Sequence, residues 1–480
     1  TTKGFVMNKY KWTPLALAFA MSASLSHATS NPSGDVDIDN DGLIEIATLQ
    51  ELDLMRYDLA GTSLNGDSTG CPATGCNGYE LVADLDFDTN GNGVADAADL
   101  FWNDGKGWAP VGSNTSKFTG TFDGNSHYIR NFYLSSSVSK YIGLFGASGA
   151  NELRNITFSG ANVSGSQFVG ILVGDARNVS FTNIHFTGSN LEVFYRRGGM
   201  LLGSAYDDIH IDNITASGSV TGTASEVGGI VGYMSENGIF NGINGNKISN
   251  VKFAGNITGK NYAGGIVGGL YRTDVTDFQV LESEISGSSP VGGAFGSVTY
   301  ASITKGTIIS TEVNGAGRRT GGIAGHSFNS NFSEVEFKGE VVSAEDSVGG
   351  AIGYAGGVTL TDVKAQAYIE GDNYLGGLIG DVATNYSVNI MNSLAISEFS
   401  GSSYIGTMVG RASVTTQATS SFWDSEVSGL TTGAYGAPKT TSELQCPTAP
   451  GDVSCDPTLF ADWDATVWDF GTSSDYPVLR

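Results

Sequence analysis

Residues 227–232 read Val-Gly-Gly-Ile-Val-Gly, a pattern of one apolar residue, two glycines, two aliphatic residues and a closing glycine. Close copies stand at 263–268, 291–296, 320–325, 348–353 and 375–380, and looser copies at 141–146, 169–174, 198–203 and 405–410. The closing glycines are spaced by 28, 29, 29, 36, 28, 29, 28, 27 and 30 residues; they are Gly146, Gly174, Gly203, Gly232, Gly268, Gly296, Gly325, Gly353, Gly380 and Gly410. Copies at a nearly fixed spacing indicate a repeat architecture, and the one long step marks an insertion of about eight residues near 237–247.

A second pattern runs at the same spacing in another phase. Mostly polar residues precede short runs in which apolar and polar residues alternate, as in Asn-Ile-Thr-Phe at 155–158 and Asn-Val-Lys-Phe at 250–253. Those leading positions are Asn155, Asn183, Asn213, Asn250, Asp277, Lys305, Glu334, Asp362 and Asn392. Alternation with a period of two is typical of half-buried strands, and each unit holds up to three strand-like runs.

A unit of about 28 residues cannot bury its own apolar face, whereas stacked units share one continuous core. We therefore predict an all-β fold, a parallel β-helix (β-solenoid) of about ten three-strand coils that rise about 4.8 Å each. Asparagines at a turn would then pass amide hydrogen bonds from coil to coil. The two adjacent aliphatic residues before each closing glycine leave two alternatives: the chain bends there, or that strand is covered on both faces.

Both ends of a solenoid expose unpaired strand edges and need caps. Residues 29–131 are predicted to form an N-terminal α/β cap, in which Thr48 and Glu51 begin a short helix that ends near Leu59 and a strand follows at 79–82. The coils are predicted at 132–415. Residues 416–480 would form a C-terminal cap over the last coil, with an aromatic ligand platform as the alternative, because five aromatic residues concentrate there: Trp423, Trp463, Trp468, Phe470 and Tyr476.

The termini and the cysteines predict export. Residues 1–28 contain basic Lys9 and Lys11, an apolar run at 15–23 and small residues at 26 and 28, the order of a secretory signal peptide. The four cysteines form two closely spaced pairs, Cys71 with Cys76 and Cys446 with Cys455. Close spacing together with an export signal favours two disulfides over a zinc site, which would need more ligands. We expect a secreted or cell-surface protein.

The charge balance narrows the partners. Forty-nine acidic residues against 24 basic ones give a formal net charge of −25. This argues against nucleic acid and against an anionic membrane, both of which need a basic face. No segment after the leader is apolar for long enough to predict a transmembrane helix.

Two acidic loops match calcium-binding patterns. The first has Asp88, Asn90, Asn92, Gly93, Asp96 and Asp99 at positions 1, 3, 5, 6, 9 and 12 of an EF-hand-type loop, with the carbonyl of Val94 at position 7. The second begins in the same way with Asp37, Asp39, Asp41, Gly42 and Glu45, but has Thr48 where the twelfth ligand should be. Since Ca²⁺ takes convergent oxygen ligands, we predict calcium sites that fix the cap.

Catalytic motifs are weak by comparison. The histidines are isolated and none begins a His-Glu-x-x-His motif, and no nucleophile elbow or phosphate-binding loop is evident. One cluster remains, in which Asp207, Asp208 and His210, with Arg196 and Arg197 one coil earlier, would serve a polysaccharide lyase or glycoside hydrolase. The more ordinary interpretation is a solvated turn.

The Gly-Gly-Ile-Val-Gly core and its spacing resemble the GLUG-motif repeats of secreted bacterial proteins, and residues 118–131 resemble the segment that leads into such repeats. The resemblance implies an extracellular, adhesin-like protein, although the motif also occurs beside a peptidase domain in immunoglobulin-A-cleaving proteins. We therefore expect a non-catalytic protein that binds a glycan, a matrix component or a surface protein through many weak contacts. A polysaccharide-cleaving enzyme and a filament or surface-layer component are the alternatives.

Overall fold

The computed structural model describes residues 34–236, 245–412, 415–445, 456, 458–470 and 475–480. The predicted leader and the second cysteine pair, Cys446 and Cys455, lie outside these residues. Cys71 and Cys76 form a disulfide, as predicted. Helices are few and short, and none of those in the described part of the chain could cross a bilayer. They are the α-helices Leu49–Leu54, Ser425–Ser428 and Thr441–Leu444 and the 3₁₀ turns Met55–Tyr57 and Asn103–Gly105.

A ten-stranded parallel sheet contains the ten closing glycines, one on each strand. Its strands are Phe145–Ser148, Val173–Arg177, Leu202–Tyr206, Val231–Ser235, Val267–Tyr271, Phe295–Thr299, Ala324–Phe328, Ile352–Gly356, Ile379–Val382 and Val409–Arg411. Each pairs in register with the strand one repeat away, so that Val231, for example, lies between Leu202 and Val267. The predicted parallel β-solenoid of about ten coils is thereby confirmed.

A second, 26-stranded sheet forms the remaining walls of the coils within the described residues. Several of its strands run through two strand-like segments without a break, so the predicted three runs per coil often merge into fewer. The strands are Ile44–Ile46, Gly78–Leu81, Leu85–Asp86, Thr121–Asp123, Tyr128–Arg130, Tyr133–Ile142, Glu152–Ser159, Asn162–Val169, Ser180–Gly198, His210–Gly222, Ser225–Gly228, Asn246–Thr258, Asn261–Gly264, Thr273–Leu281, Glu284–Gly287, Val291–Gly292, Ser302–Gly315, Thr320–Gly321, Asn331–Ser343, Val348–Gly349, Val358–Gly376, Val388–Met391, Leu394–Gly406, Thr416–Thr419, Phe422–Asp424 and Ala437–Lys439.

The glycine motif forms the bend between the two sheets. In one coil Gly228 ends a strand of the 26-stranded sheet and Val231 begins a strand of the ten-stranded sheet, with both Ile230 and Val231 buried. The first alternative for the paired aliphatic residues is therefore correct: the chain bends, and both side chains enter the core. A Cβ on Gly232 would lie 2.5 Å from the backbone nitrogen of Gly198, so no larger residue fits where successive coils approach here.

The asparagine positions form a left-handed turn in nine successive coils. All nine residues of that pattern have φ between 49° and 56°, which Asn and Asp tolerate better than other non-glycine residues. The side-chain amide of Asn183 donates to the side-chain oxygen Oδ1 of Asn155 at 3.0 Å. The side-chain amide of Asn213 donates to Oδ1 of Asn183 at 2.7 Å. The predicted amide ladder is confirmed in these coils. It ends at Asn250, whose amide donates instead to Asp212 at 2.7 Å.

The N-terminal cap continues the stack. Ile44, Tyr79, Phe122 and Leu153 lie in register on four successive parallel strands and are buried, so the cap shares the solenoid core. The predicted helix is shorter than expected, because it gives way to a 3₁₀ turn after Leu54. The Thr48 hydroxyl caps it by accepting from the Glu51 backbone N–H at 3.2 Å.

The C-terminal aromatic residues lie on the side of the solenoid. The indole N–H of Trp468 donates to Asp362 at 2.7 Å, a contact between residues 106 apart in sequence. Trp463 and Trp468, with ring centroids 4.4 Å apart, cover the outward-facing Leu394 and Ile396 in a cluster separate from the solenoid core. These rings cover the last coils, as predicted, and they do so from the flank.

Candidate functional site

The proposed catalytic cluster is an exposed turn. His210 Nε2 lies 3.4 Å from Asp208 Oδ1, and the two side chains are 51% and 70% exposed. Asp207 points to Arg177, with 3.4 Å between the charged atoms, and both aspartates have φ above 50°. Arg197 is directed away from this turn, since its Nε donates to Glu226 at 2.8 Å. The structure therefore brings Asp208 and His210 together and places the arginine in a different cluster.

The acidic loop near residue 37 brings its carboxylates close together. Asp37, Asp39 and Asp41 have oxygens within 4.8 Å of one another, and so do Asp39, Glu45 and Glu80. One carboxylate oxygen of Glu45 is buried without a hydrogen-bond partner in the described structure. Burial, reinforced by the neighbouring carboxylates, raises the pKa of Glu80 to about 7. Glu80 was missed from the sequence, because it reaches this group only through the pairing of its strand with Ile44–Ile46.

The loop near residue 88 has the turns of a calcium loop but less convergence. Asp88 accepts from the backbone N–H groups of Asn92 and Gly93 at 3.1 and 2.7 Å, and Asn92 accepts from Val94 at 2.9 Å. The amides of Asn90 and Asn92 both donate to Asp96, at 3.1 and 2.7 Å. Burial opposes ionisation of Asp99, yet hydrogen bonds from Asp96, Asn90 and Thr89 hold its pKa below its usual value. Calcium binding stays a prediction for both loops.

The outer surface of the ten-stranded sheet carries arginine and tyrosine side chains in most coils. We call it the arginine–tyrosine face. We define it as the outward residues of these strands together with the left-handed residue that precedes or begins nine of the ten glycine motifs. One outward column comprises Ala147, Asp175, Ser204, Tyr233, Gly269, Ser297, His326, Tyr354, Asp381 and Arg411. The left-handed column comprises Tyr141, Phe168, Arg197, Glu226, Tyr262, Arg319, Ser347, Tyr374 and Tyr404.

Cation–π contacts join the two columns along the rod. The Arg197 guanidinium lies 4.0 Å from the ring centroid of Tyr233, Arg319 lies 4.5 Å from that of Tyr354, and Arg411 lies 4.0 Å from that of Tyr374. Arg411 also forms a two-pronged ion pair with the buried Asp381, at 2.7 and 2.5 Å. Such contacts hold the rings and guanidinium groups in fixed positions on the outside of the molecule.

His326 belongs to the same face. Its ring stacks on that of Tyr354 with centroids 5.9 Å apart and an interplanar angle of 5°, and Nδ1 lies 3.1 Å from the Ser297 hydroxyl. Burial, aided by the charge of Arg319, lowers the pKa of His326 to about 4. The imidazole is therefore neutral at physiological pH and acts as a polar aromatic surface.

A cleft of about 840 Å³ borders this face and spans three coils. Tyr195 and Tyr262, which are 63% and 39% exposed, present their rings to it. Arg196 and Lys260 supply positive charge, and Glu226 supplies a carboxylate that pairs with Arg196 at 3.4 Å. Its dimensions fall in the range of small-molecule sites, and its lining combines exposed rings with hydrogen-bonding groups of both signs.

Sequence patterns missed the arginine–tyrosine face. The signal that could have found it is the residue just before each glycine motif, which is aromatic or arginine in six of the ten copies: Phe168, Arg197, Tyr262, Arg319, Tyr374 and Tyr404. A bulky side chain in a left-handed conformation is unfavourable, so its repeated use there indicates a role on the outside of the turn.

Comparisons with known proteins are partial. No family model matches the chain. It is 32% identical over 157 residues to Halomucin of Haloquadratum walsbyi, and 40% identical over 75 residues to an Evansella cellulosilytica protein assigned as a Gly-rich membrane protein. These matches cover 31% and 15% of this chain but only 2% and 9% of the relatives' lengths.

Among solved structures, the chain is similar to a Bacteroides ovatus protein assigned as an immunoglobulin A1 protease. The identity is 17%, the TM-score is 0.26, and the match covers 91% of this chain and 92% of the other. A similarity of that size bears on neither activity nor ligand. The resemblance to GLUG repeats stays a prediction.

Proposed function

We propose that this protein is a non-catalytic binding protein of the cell exterior, and that it binds glycans through the arginine–tyrosine face and the adjoining cleft. The observation that carries the proposal is the fixed arrangement of partly buried tyrosine rings and guanidinium groups along one side of the stacked coils. Tyr262 and Tyr404 on the same side are exposed. Aromatic rings pack against the apolar faces of sugar rings, while arginine and carboxylate groups hydrogen-bond to hydroxyls. Successive coils offer such groups about 4.8 Å apart, so an extended chain of sugars could make several weak contacts at once.

The cleft with Tyr195 and Tyr262 is the place where single contacts should be strongest. Both rings are exposed to solvent, and both line the same open cleft. Arg196 pairs with Glu226 at 3.4 Å and Arg197 donates to the same carboxylate at 2.8 Å, so these groups keep a defined geometry at the edge of the cleft. Specificity would come from these polar groups and affinity from the rings.

Export is part of the proposal. The disulfide between Cys71 and Cys76 supports an oxidising location, and the leader pattern in 1–28 supports secretion. Calcium enters the proposal as a stabiliser of the cap, held by the loop around Asp37. The GLUG-type resemblance fits the same location.

The test is a glycan array probed with the wild-type protein and with Tyr195→Ala/Tyr262→Ala. We expect the wild type to bind a defined set of glycans, and the double variant to lose about 5- to 150-fold in affinity, since two stacked rings contribute roughly 0.5–1.5 kcal/mol each. Tyr57→Ala is the matched control, because Tyr57 is 71% exposed but lies in the cap. Binding that is absent, or that both variants keep, contradicts the proposal.

The alternatives give different results in the same experiment series. Release of new reducing ends or of unsaturated products from a polysaccharide panel, abolished by Asp208→Asn, would favour a lyase or hydrolase. Concentration-dependent growth into fibres without any glycan binding would favour a filament component. We expect neither, because the contact between Asp208 and His210 is exposed and loosely held.

A further inference from the structure

A smaller cleft, of about 350 Å³, lies between the N-terminal cap and the first coil. Its walls come from the cap segment around Lys106 to Ser113 and from the first-coil segment around Leu134 to Ile142. We call it the lysine cleft, after Lys106 and Lys140, which reach it from opposite walls. It is separate from the cleft formed by Tyr195 and Tyr262, which lies several coils further along the chain.

The two walls are fastened to each other by backbone hydrogen bonds. Gly107 and Leu134 form an antiparallel bridge, the Trp108 N–H donates to the Tyr133 carbonyl at 2.9 Å, and the Ser135 N–H donates to the Lys106 carbonyl at 2.8 Å. The indole N–H of Trp108 donates to the Leu144 carbonyl at 3.1 Å, and Trp108 is only 2% exposed. The cleft is therefore formed in advance, and a ligand would not have to order it.

The charge of the lysine cleft is opposite to that of the protein. Acidic residues outnumber basic ones by 49 to 24 in the chain, yet the lining holds two lysines and neither aspartate nor glutamate. Lys106 and Lys140 are exposed and form no ion pair with another residue in the described part of the chain. Behind one wall, the Arg56 guanidinium donates to the Ala109 carbonyl at 3.1 Å and lies 5.3 Å from the Trp108 ring centroid. Arg56 is itself paired with Asp53, its Nε donating to Asp53 at 2.9 Å, so the charge that favours an anion in the cleft comes from the two lysines.

The remaining lining is partly apolar and partly hydroxyl-bearing. Tyr141 stacks on Phe168 with ring centroids 5.1 Å apart, which fixes one aromatic side of the cleft. Pro110 provides a second apolar surface, and Ser136 and Ser139 provide hydroxyl groups. A ring that has apolar C–H faces, several hydroxyls and one negative group would match all three kinds of surface. The volume is at the small end of ligand sites, sufficient for about one sugar residue.

We propose that the lysine cleft binds one anionic sugar residue, a pyranose that carries a carboxylate or a sulfate. The ammonium groups of Lys106 and Lys140 hold the acidic substituent, the Tyr141 ring packs against the sugar face, and the serines hydrogen-bond to its hydroxyls. The inference goes beyond the proposed glycan binding by adding a second site and its ligand class. The lysine cleft would select acidic glycans, which the net negative charge of the protein would repel from the rest of its surface.

The test uses small probes with the intact protein. Methyl β-glucuronide, methyl β-glucoside 6-sulfate and uncharged methyl β-glucoside are titrated at low and high salt, with binding followed by NMR. We expect both anionic probes to bind about five-fold more tightly than the glucoside at low salt, and the preference to shrink as salt is raised. The relative affinity of the two anionic probes tells whether carboxylate or sulfate is preferred.

The matched variants are Lys106→Gln/Lys140→Gln and Lys247→Gln/Lys338→Gln. Each removes two exposed positive charges, but only the first pair lines the cleft. We expect the first double variant to lose the preference for the anionic probes while keeping its weak affinity for the glucoside, and the second to behave as wild type. Equal affinities for all three probes, no binding up to about 20 mM, or an equal effect of both double variants would overturn the inference.

The failure of this inference is distinguishable from failure of the proposed function. Array binding that depends on Tyr195 and Tyr262, together with equal affinities for charged and uncharged probes, rejects only the lysine cleft. A glucuronide preference that depends on Lys106 and Lys140, without array binding through the tyrosines, supports the lysine cleft and rejects the arginine–tyrosine face.

Discussion

On each strand of the ten-stranded sheet, one side chain enters the core and another, two residues later, faces outward. The inward column is apolar in all ten coils: Phe145, Val173, Leu202, Val231, Val267, Phe295, Ala324, Ile352, Ile379 and Val409. The outward column, from Ala147 to Arg411, mixes small, acidic, aromatic and basic residues, and no residue type recurs in successive coils. Core packing depends on the like residues that stacking brings together, whereas a ligand needs particular groups at particular coils. The repeated apolar residues therefore specify the fold, and the positions at which the residue changes from coil to coil are where we expect ligands to bind.

The strongest way to break this comparison is to put a charge in the inward column. Ile352→Asp buries a carboxylate without a partner and should lower the free energy of unfolding by about 4 kcal/mol or more. Tyr354→Asp, on the same strand but facing outward, should cost less, about 1.5–3 kcal/mol, because it loses ring contacts and places a carboxylate beside Asp381 but stays partly exposed to water. Urea unfolding followed by circular dichroism measures both. Equal losses would mean that the two columns do not differ in burial.

Removing Ca²⁺ tests the N-terminal cap. The cap contains neither the glycine-motif repeat nor the outward column of the ten-stranded sheet. If Ca²⁺ binds the loop around Asp37, saturating it at about 100 times its Kd should stabilise the cap by about 2.7 kcal/mol. Chelator should then lower the melting temperature, and Asp39→Asn/Asp41→Asn should abolish the difference. Asp274→Asn, in the middle of the solenoid, is the control. A melting temperature that does not respond to Ca²⁺ or to chelator contradicts the prediction.

The asparagine ladder occupies a repeated position that is polar instead of apolar. It therefore sharpens the comparison between the repeated and the non-repeated positions of the coils. Asn183 donates to Asn155 and accepts from Asn213 in a left-handed conformation, so Asn183→Ala should cost about 2 kcal/mol. Asn183→Gly keeps the conformation accessible and loses only the amide contacts, so it should cost less than the alanine variant. Thermal unfolding of both variants separates the contribution of the backbone conformation from that of the amide hydrogen bonds. A glycine variant as unstable as the alanine variant would assign the whole effect to the amide.

His326 should make the outward face sensitive to acid. The pKa of His326 is near 4 in the folded protein and about 6.5 in an unfolded chain, so the unfolded state binds the proton more readily. Its contribution to stability is full above pH 6.5 and is lost as the pH falls from 6.5 towards 4, by about 1–2 kcal/mol once partial exposure is allowed for. His326→Gln should remove this part of the pH dependence. Parallel stability curves for wild type and variant would contradict it.

The sequence predicted the parts of the structure that repeat. The glycine spacing predicted the coils, and the asparagine positions predicted the ladder through Asn155, Asn183 and Asn213. The bend at the glycine motif stayed open, because two adjacent apolar residues fit either a bend or a doubly covered strand. The packing of Trp468 against Asp362 could not be predicted, since it is a contact between residues far apart in sequence.

The candidate sites show the same limit. Acidic loops can be recognised from local spacing, but Glu80 joins the group around Asp37 only through strand pairing. Arg197 was interpreted with Asp207 and Asp208, whereas it pairs with Glu226 in the next coil. The lysine cleft joins a cap loop to a first-coil strand, so its two lysines, 34 positions apart, give no pattern in the sequence.

The most direct test of the stacked coils is a pair of distances between spin labels on the arginine–tyrosine face. Labels at Tyr262 and Tyr404, carried by genetically encoded residues that leave the cysteines untouched, are five coils apart in the register. Pulsed electron paramagnetic resonance should give about 24 Å for this pair and about 29 Å for Glu226 and Tyr404, one more coil at about 4.8 Å, although that coil holds the 36-residue step. Distances that grow with the number of residues instead of the number of coils would contradict the account.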